Sequence, residues 1–261
     1  MPVFYFHVLC SFFLAGSLIA LLTILAERFG SRIGGLITNL PSNVLITMIF
    51  IAITHGTGFV KLMVPAIPIG MLIDTMFLVA FILLLKYNLI AAITGSLSTW
   101  LILACLANLV GSEYLWINAG IYFSLTILTW LWMEKKHHIP AMGKSGKRYT
   151  PAQLAIRAAF AGGIVGGVVL VSRLVPAYLT GIVSTFPAVL FSSMVILVLN
   201  QGKEFARATG KVMILSSTNI VVYAISVYYF FPLAGIITGT IISFMLAFSW
   251  VVILRMIMVR R

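Results

Sequence analysis

Nine stretches of about twenty apolar residues, nearly free of charge, decide what this chain can fold into; they run approximately over residues 3–25, 35–54, 64–85, 89–110, 115–133, 152–175, 178–199, 210–230 and 233–254. The hydrocarbon core of a bilayer is about 30 Å thick, and a helix needs about 20 apolar residues to cross it. The chain is 62% hydrophobic and 8% charged over 261 residues, whereas soluble domains carry about 25% charged residues. No soluble fold of this size hides so much apolar surface. The predicted fold is therefore all-α, a polytopic transmembrane bundle of about nine helices.

The net charge of +12 comes from 17 basic residues against five acidic ones. The basic residues sit in short gaps between apolar runs, a placement that follows the positive-inside rule and excludes a nucleic-acid groove. Cys10 and Cys105 fall inside apolar runs and read as small buried side chains rather than a disulfide or a metal pair. The one long polar connection is EKKHHIPAMGKSGKRYT, Glu134 to Thr150. Its GKSGK lacks phosphate-loop spacing and follows no strand, and His137 and His138 have no nearby acid or thiol to complete a metal site. No cofactor is expected.

The first run has no basic n-region and no clear small-x-small cleavage site, so it reads as a retained helix. Arg28 and Arg32 follow it at once, which places that end in the cytoplasm and the N-terminus outside. Alternation then puts Lys86, the 134–150 linker, the segment from Gln201 to Lys211 and the tail (Arg255, Arg260, Arg261) inside, with His55, Lys61, Glu113 and Arg173 outside. The expected location is the cell membrane, with the C-terminus cytoplasmic.

Sliding the sequence by 146 residues superposes GLITNLPSNVLITMIFIAITHGTGFVK, from Gly35, on GIVSTFPAVLFSSMVILVLNQGKEFAR, from Gly181. Gly35 meets Gly181, Pro41 meets Pro187, Met48 meets Met194, Gly56 meets Gly202 and Phe59 meets Phe205, without a gap. After a two-residue shift, IAAITG from Ile90 to Gly95 resembles AGIITG from Ala234 to Gly239. The chain thus divides into a four-helix repeat over residues 1–112, a linking helix and basic loop over 113–150, and a second four-helix repeat over 151–261. A single helix between the halves makes the second enter the bilayer from the opposite side, so the repeats are expected to be inverted.

The spacing of Gly, Pro, an apolar helix and then Gly with a short polar turn resembles the small four-helix membrane proteins of the GlpM type and related families of unknown function. It is carried by AERFGSRIGGLITNLP (Ala26 to Pro41) in the first half, and by YLTGIVSTFP (Tyr178 to Pro187) and QGKEFARAT (Gln201 to Thr209) in the second. The resemblance implies a fused pair of such units and no particular activity.

Asp74 is the first candidate site residue, because a carboxylate in the middle of a membrane helix costs about 3 kcal/mol on insertion scales and should face the bundle interior. It reads as a proton or cation coupling site, or else as a neutral acid hydrogen-bonded to a neighbouring helix. Its counterpart region, Ser216-Ser217-Thr218-Asn219, supplies Ser217 and Asn219 as partners, although such residues also serve as interhelical glue. The second constellation is Pro41 with Asn39, Ser42 and Asn43, matched by Pro187 with Ser184 and Thr185. Proline removes a backbone donor and frees carbonyls, and paired discontinuous helices in inverted halves point to a midplane transport site. A simple proline kink is the plainer alternative. Gly162, Gly163, Gly166 and Gly167 flatten one face of their helix and suit packing within the chain or between subunits of a homo-oligomer.

With five scattered acidic residues and no nucleophile–base pair, an enzyme is not expected. The expected function is a membrane transporter or channel-like permease for a small solute or ion, cation- or proton-coupled through Asp74. The alternative is a non-transporting accessory subunit of a membrane complex. The lipid bilayer is the expected partner in either case.

Overall fold

The structure is a computed structural model that describes residues 2–28, 40–137 and 149–259. Among these there are helices and turns and no strand. In chain order the helices are α1 (Pro2–Arg28), α2 (Ser42–His55), α3 (Thr57–Met63), α4 (Ile67–Leu84), α5 (Leu89–Val110), α6 (Leu115–His137), α7 (Pro151–Val171), α8 (Ala177–Ser184), α9 (Ala188–Gln201), α10 (Lys203–Ser216) and α11 (Thr218–Val259). One 3₁₀ turn, Val64–Ala66, joins α3 to α4.

Among the described residues seven stretches are long and apolar enough to cross a membrane, and Ser42–His55 is a shorter apolar eighth. The sequence led to about nine. The difference lies in Lys203–Leu254, which runs as one stretch of 52 residues but is folded on itself. Trp250 Nε1 donates to Thr218 Oγ1 at 2.9 Å, whereas those residues would stand about 48 Å apart along a straight helix. The bend is at Gly235, with φ 75° and ψ 178°, just past Pro232. Beyond it Gly239 lies so close to the first arm that a Cβ there would meet the Phe230 carbonyl oxygen at 2.9 Å.

Outward and inward faces have the polarity expected in lipid. Leu109 and Ile237 are about 80% and 79% exposed, while Asp74, Asn219 and Ser243 are buried. Between membrane helices the hydrophobic effect supplies little, so close backbone approach at small residues does the packing. The α1–α7 pair shows this. A Cβ at Gly16 would lie 2.9 Å from the Ala158 carbonyl oxygen, one at Gly162 2.5 Å from that of Phe12, and one at Gly166 3.4 Å from that of Val8. Contacts that step down one helix as they step up the other make the pair antiparallel. Gly162 and Gly166 are thus occupied within the chain, while a side chain at Gly167 would meet open space.

Two segments 146 residues apart follow the same backbone course. Pro41 (φ −77°, ψ 46°) precedes the 14 residues of α2, and Pro187 (φ −77°, ψ 47°) precedes the 14 residues of α9. Each proline is spanned by a short turn, Ser42 N to Leu40 O at 2.8 Å and Ala188 N to Phe186 O at 2.7 Å. Each helix ends on a glycine at positive φ, Gly56 at 85° and Gly202 at 90°. L side chains rarely adopt that conformation, which is why glycine stands at both places. The α1–α7 seam repeats in the same numbering: adding 146 to Gly16 gives Gly162, and adding it to Phe12 gives Ala158, so two of its close approaches are one contact seen from each partner.

Polar contacts sort the ends of the bundle. At one end Arg173 stacks on Phe4 at 3.5 Å, His55 Nε2 meets Ser172 Oγ at 2.8 Å, and Trp116 donates to Tyr229 at 3.1 Å. At the other, Lys203 donates to the Tyr87 carbonyl at 3.2 Å and Lys211 pairs with Glu134 at 2.8 Å. The groups expected outside and inside by charge are therefore kept apart in space.

Candidate functional site

Two clusters of buried apolar residues fill the bundle, and they meet along α4, where Met71 belongs to one and Ile73 to the other. Asp74 comes next, 3% exposed. Its Oδ1 accepts a hydrogen bond from the indole Nε1 of Trp100 on α5 at 3.1 Å. Tyr122 of α6 is fully buried beside Asp74, with Ser217 and Thr126 near its hydroxyl. Thr75 lies 3.5 Å from Thr126 and donates to the Met71 carbonyl at 3.1 Å. An acid sunk in the bundle is thus held by the indole of Trp100, with the fully buried Tyr122 in its surroundings.

The α8–α9 break is pressed against the same stretch of α4. Gly181 lies against the backbone of Met63, and Thr185 against Gly70, one helical turn before Asp74, where any Cβ would overlap the threonine side chain. Phe186 packs edge-on to Trp100 with ring centres 4.9 Å apart, and Phe160 of α7 meets Phe186 at 6.2 Å. The hydroxyls at the break turn inward: Ser184 donates to the Gly181 carbonyl at 2.7 Å and Thr185 to that of Ile182 at 2.8 Å. Carbonyls at the end of α8 are therefore partly satisfied by the chain itself, and that of Val183, four residues before Pro187, accepts from Phe186 N at 3.0 Å.

Of the residues expected at a site, Asp74, Thr185 and Pro187 are brought together through Gly70, Trp100 and Phe186. Ser217 joins them across Tyr122. Ser184 and Asn219 are buried, Ser184 within the break and Asn219 on the first turn of α11. Pro41, Ser42 and Asn43 are elsewhere. Ser42 lines an apolar cavity of about 320 Å³ with Leu18 and Leu22 of α1, Leu45 of α2, and Thr240 and Phe244 of α11. Pro41, Ser42 and Asn43 stand apart from Asp74 because α2 packs on α1 and α7 rather than on α4. Asn39 lies outside the described residues.

Sequence reasoning passed over Trp100, Tyr122, Thr126 and Asn118. Asn118 donates to the carbonyls of Pro65 and Ser112, both at 2.8 Å, and so ties α6 to the 3₁₀ turn before α4. Aromatic and hydroxyl residues inside apolar runs carry no signal of their own. Only the need of Asp74 for a donor pointed to them. Among the described residues no cluster of histidine, cysteine or acidic side chains has the makings of a metal site.

Fold and site together define a multi-pass helical membrane protein with a buried acid at its centre. No family model, curated protein or solved structure matches the chain, and nothing among them bears on the GlpM-type resemblance.

Proposed function

We propose that this protein is a secondary transporter or channel-like permease for a small solute or ion, with Asp74 as its proton- or cation-coupling group. The observation that carries the reading is the discontinuous α8–α9 segment seated on α4 at Gly70 and on α5 at Trp100, one turn from the buried Asp74 carboxylate. Broken helices beside an intramembrane acid are the usual makings of a membrane transport site. The chain is read as two halves, 1–112 and 151–261, inverted in the membrane and joined by α6 and the linker. The shared backbone course at Pro41 and Pro187 supports the repeat, and the antiparallel α1–α7 seam supports the inversion. Segregation of the basic ends supports an external N-terminus and a cytoplasmic C-terminus in the cell membrane. Phe160, Phe186 and Trp100 form an aromatic closure on the α7 side of Asp74, a barrier that rocking of the halves would open.

The test is proton-coupled flux in proteoliposomes, measured for candidate solutes with and without an imposed pH gradient. Wild type is expected to accumulate solute with the gradient, and Asp74→Asn to lose the gradient dependence. Gradient-independent behaviour in both would remove the coupling role, and absence of any flux beside stoichiometric co-purification of another membrane protein would favour an accessory subunit.

A further inference from the structure

Arg157 is a second buried charge, 3% exposed on α7 and six residues past Pro151. Its Nη1 donates to Ser193 Oγ of α9 at 2.7 Å and to the Tyr149 hydroxyl at 3.2 Å, while its buried Nε makes no hydrogen bond. Ser193 gives its own proton to the Val189 carbonyl at 2.6 Å and so meets the guanidinium as an acceptor. Both described partners of the cation are neutral.

No described carboxylate balances it. Among the described side chains Asp74 is held by Trp100, Glu134 pairs with Lys211, Glu204 pairs with Arg207, and Glu113 is exposed in the α5–α6 loop. A guanidinium does not lose its proton in a protein, so this charge cannot be relieved by titration. Buried and unpaired, it costs several kcal/mol. The described side chains supply no anion for it, and one from outside them would balance the charge.

We propose that Arg157 is the recognition residue of an oxyanion site, taking a phosphate or carboxylate group on the Nε side of its planar fork. Such groups match the fork with two parallel hydrogen bonds, which a point charge does not offer. Side chains on either side along α7 frame the position. Toward the start of α7, Gln153 and Asn200 exchange hydrogen bonds at 2.9 and 3.1 Å and hold α7 to α9. One turn deeper, Phe160 packs on Phe191 at 5.7 Å and on Phe186, which separates Arg157 from Asp74. The anion is either free in solution or the headgroup of a lipid, and both offer the same chemistry. The site is read by binding and stands whether or not the protein carries out transport.

The experiment is thermal unfolding of the full chain in nanodiscs, with sodium phosphate against sodium chloride at matched ionic strength, in purely zwitterionic lipid and in lipid containing phosphatidylglycerol. A ligand that binds the folded form raises its midpoint saturably. A rise with phosphate in zwitterionic discs identifies a free oxyanion. A rise with phosphatidylglycerol, to which phosphate adds nothing, identifies a headgroup. Either rise should vanish in Arg157→Gln. Arg157→Lys, which keeps the charge and loses the fork, should need about ten-fold more anion, and it serves as the comparison if the glutamine variant does not fold. The proposal is overturned if neither anion raises the wild-type midpoint more than that of the variant that folds.

Discussion

Trp100 holds Asp74: its indole N–H reaches the carboxyl oxygen at 3.1 Å and ties the one acid buried among the described residues to a helix other than its own. The two substitutions that break this relationship should behave differently. In Asp74→Asn the amide oxygen still accepts the indole proton, so the fold should lose less than about 1 kcal/mol while any pH dependence of uptake disappears. In Trp100→Phe the buried acid is left without its indole donor, and stability should fall by about 1–3 kcal/mol. Thermal unfolding in detergent, with proteoliposome uptake for the first variant, separates the two.

Gly70 and Thr185 should be energetically coupled. A side chain at Gly70 overlaps Thr185, and overpacking of this kind costs about 1–3 kcal/mol. Gly70→Ala is expected to destabilise by that amount, and Thr185→Ala in the same chain should restore part of it, because the Thr185 hydroxyl and methyl are the nearest atoms in the way. A double-mutant cycle on unfolding midpoints measures the coupling. Simple additivity of the two changes would mean that α8 does not rest on α4 as described.

Gly202→Ala is a test of the left-handed turn between α9 and α10. No atom lies near enough to hinder the new methyl group, so the whole cost is conformational, about 1–3 kcal/mol for a non-glycine residue held at such a φ. Gly56→Ala, at φ 85° and equally open, should cost a similar amount. Unfolding of both variants, compared with each other, reports on the shared geometry.

On α7 neighbouring glycines should differ sharply. Gly162→Val drives a side chain into the Phe12 backbone and should separate α1 from α7, whereas Gly167→Val enters open space and should leave the monomer's stability within about 0.5 kcal/mol. Size-exclusion chromatography of the Gly167 variant also asks whether that open face joins subunits. A smaller assembly with unchanged stability would place the contact there.

How much of this was legible beforehand depended on whether a residue type is special for its position. The helices were, because apolar runs of membrane length admit little else. Pro41, Pro187, Gly56 and Gly202 were, because a missing N–H and a positive φ restrict the choice of residue, and their match over 146 residues marked the corresponding backbone. Helix ends were less so. Thr57–Met63 and Lys203–Thr209 carry charge and read as connections, yet both lie in helices, with Lys61 over the Tyr228 ring and Lys211 reaching Glu134. Long basic side chains let a helix extend past its apolar run. The neighbours of Asp74 were not legible, since Trp100 and Tyr122 resemble any aromatic residue facing lipid until three helices are packed together. Arg157 carried a signal that was missed: an arginine several residues inside an apolar run.

The α1–α7 seam bears on how such a chain arises. Its paired approaches exchange with one another when a residue is replaced by the one 146 further on, so a lone half inserted in both directions would present the same seam to a second copy of itself. On the inverted reading, one short gene would then have sufficed for a two-fold pair. Joining two such genes head to tail lacks only a way to deliver the second N-terminus to the opposite side. On the same reading α6 would be that spare crossing, and a chain divided in the 138–148 linker should still assemble from its two expressed pieces.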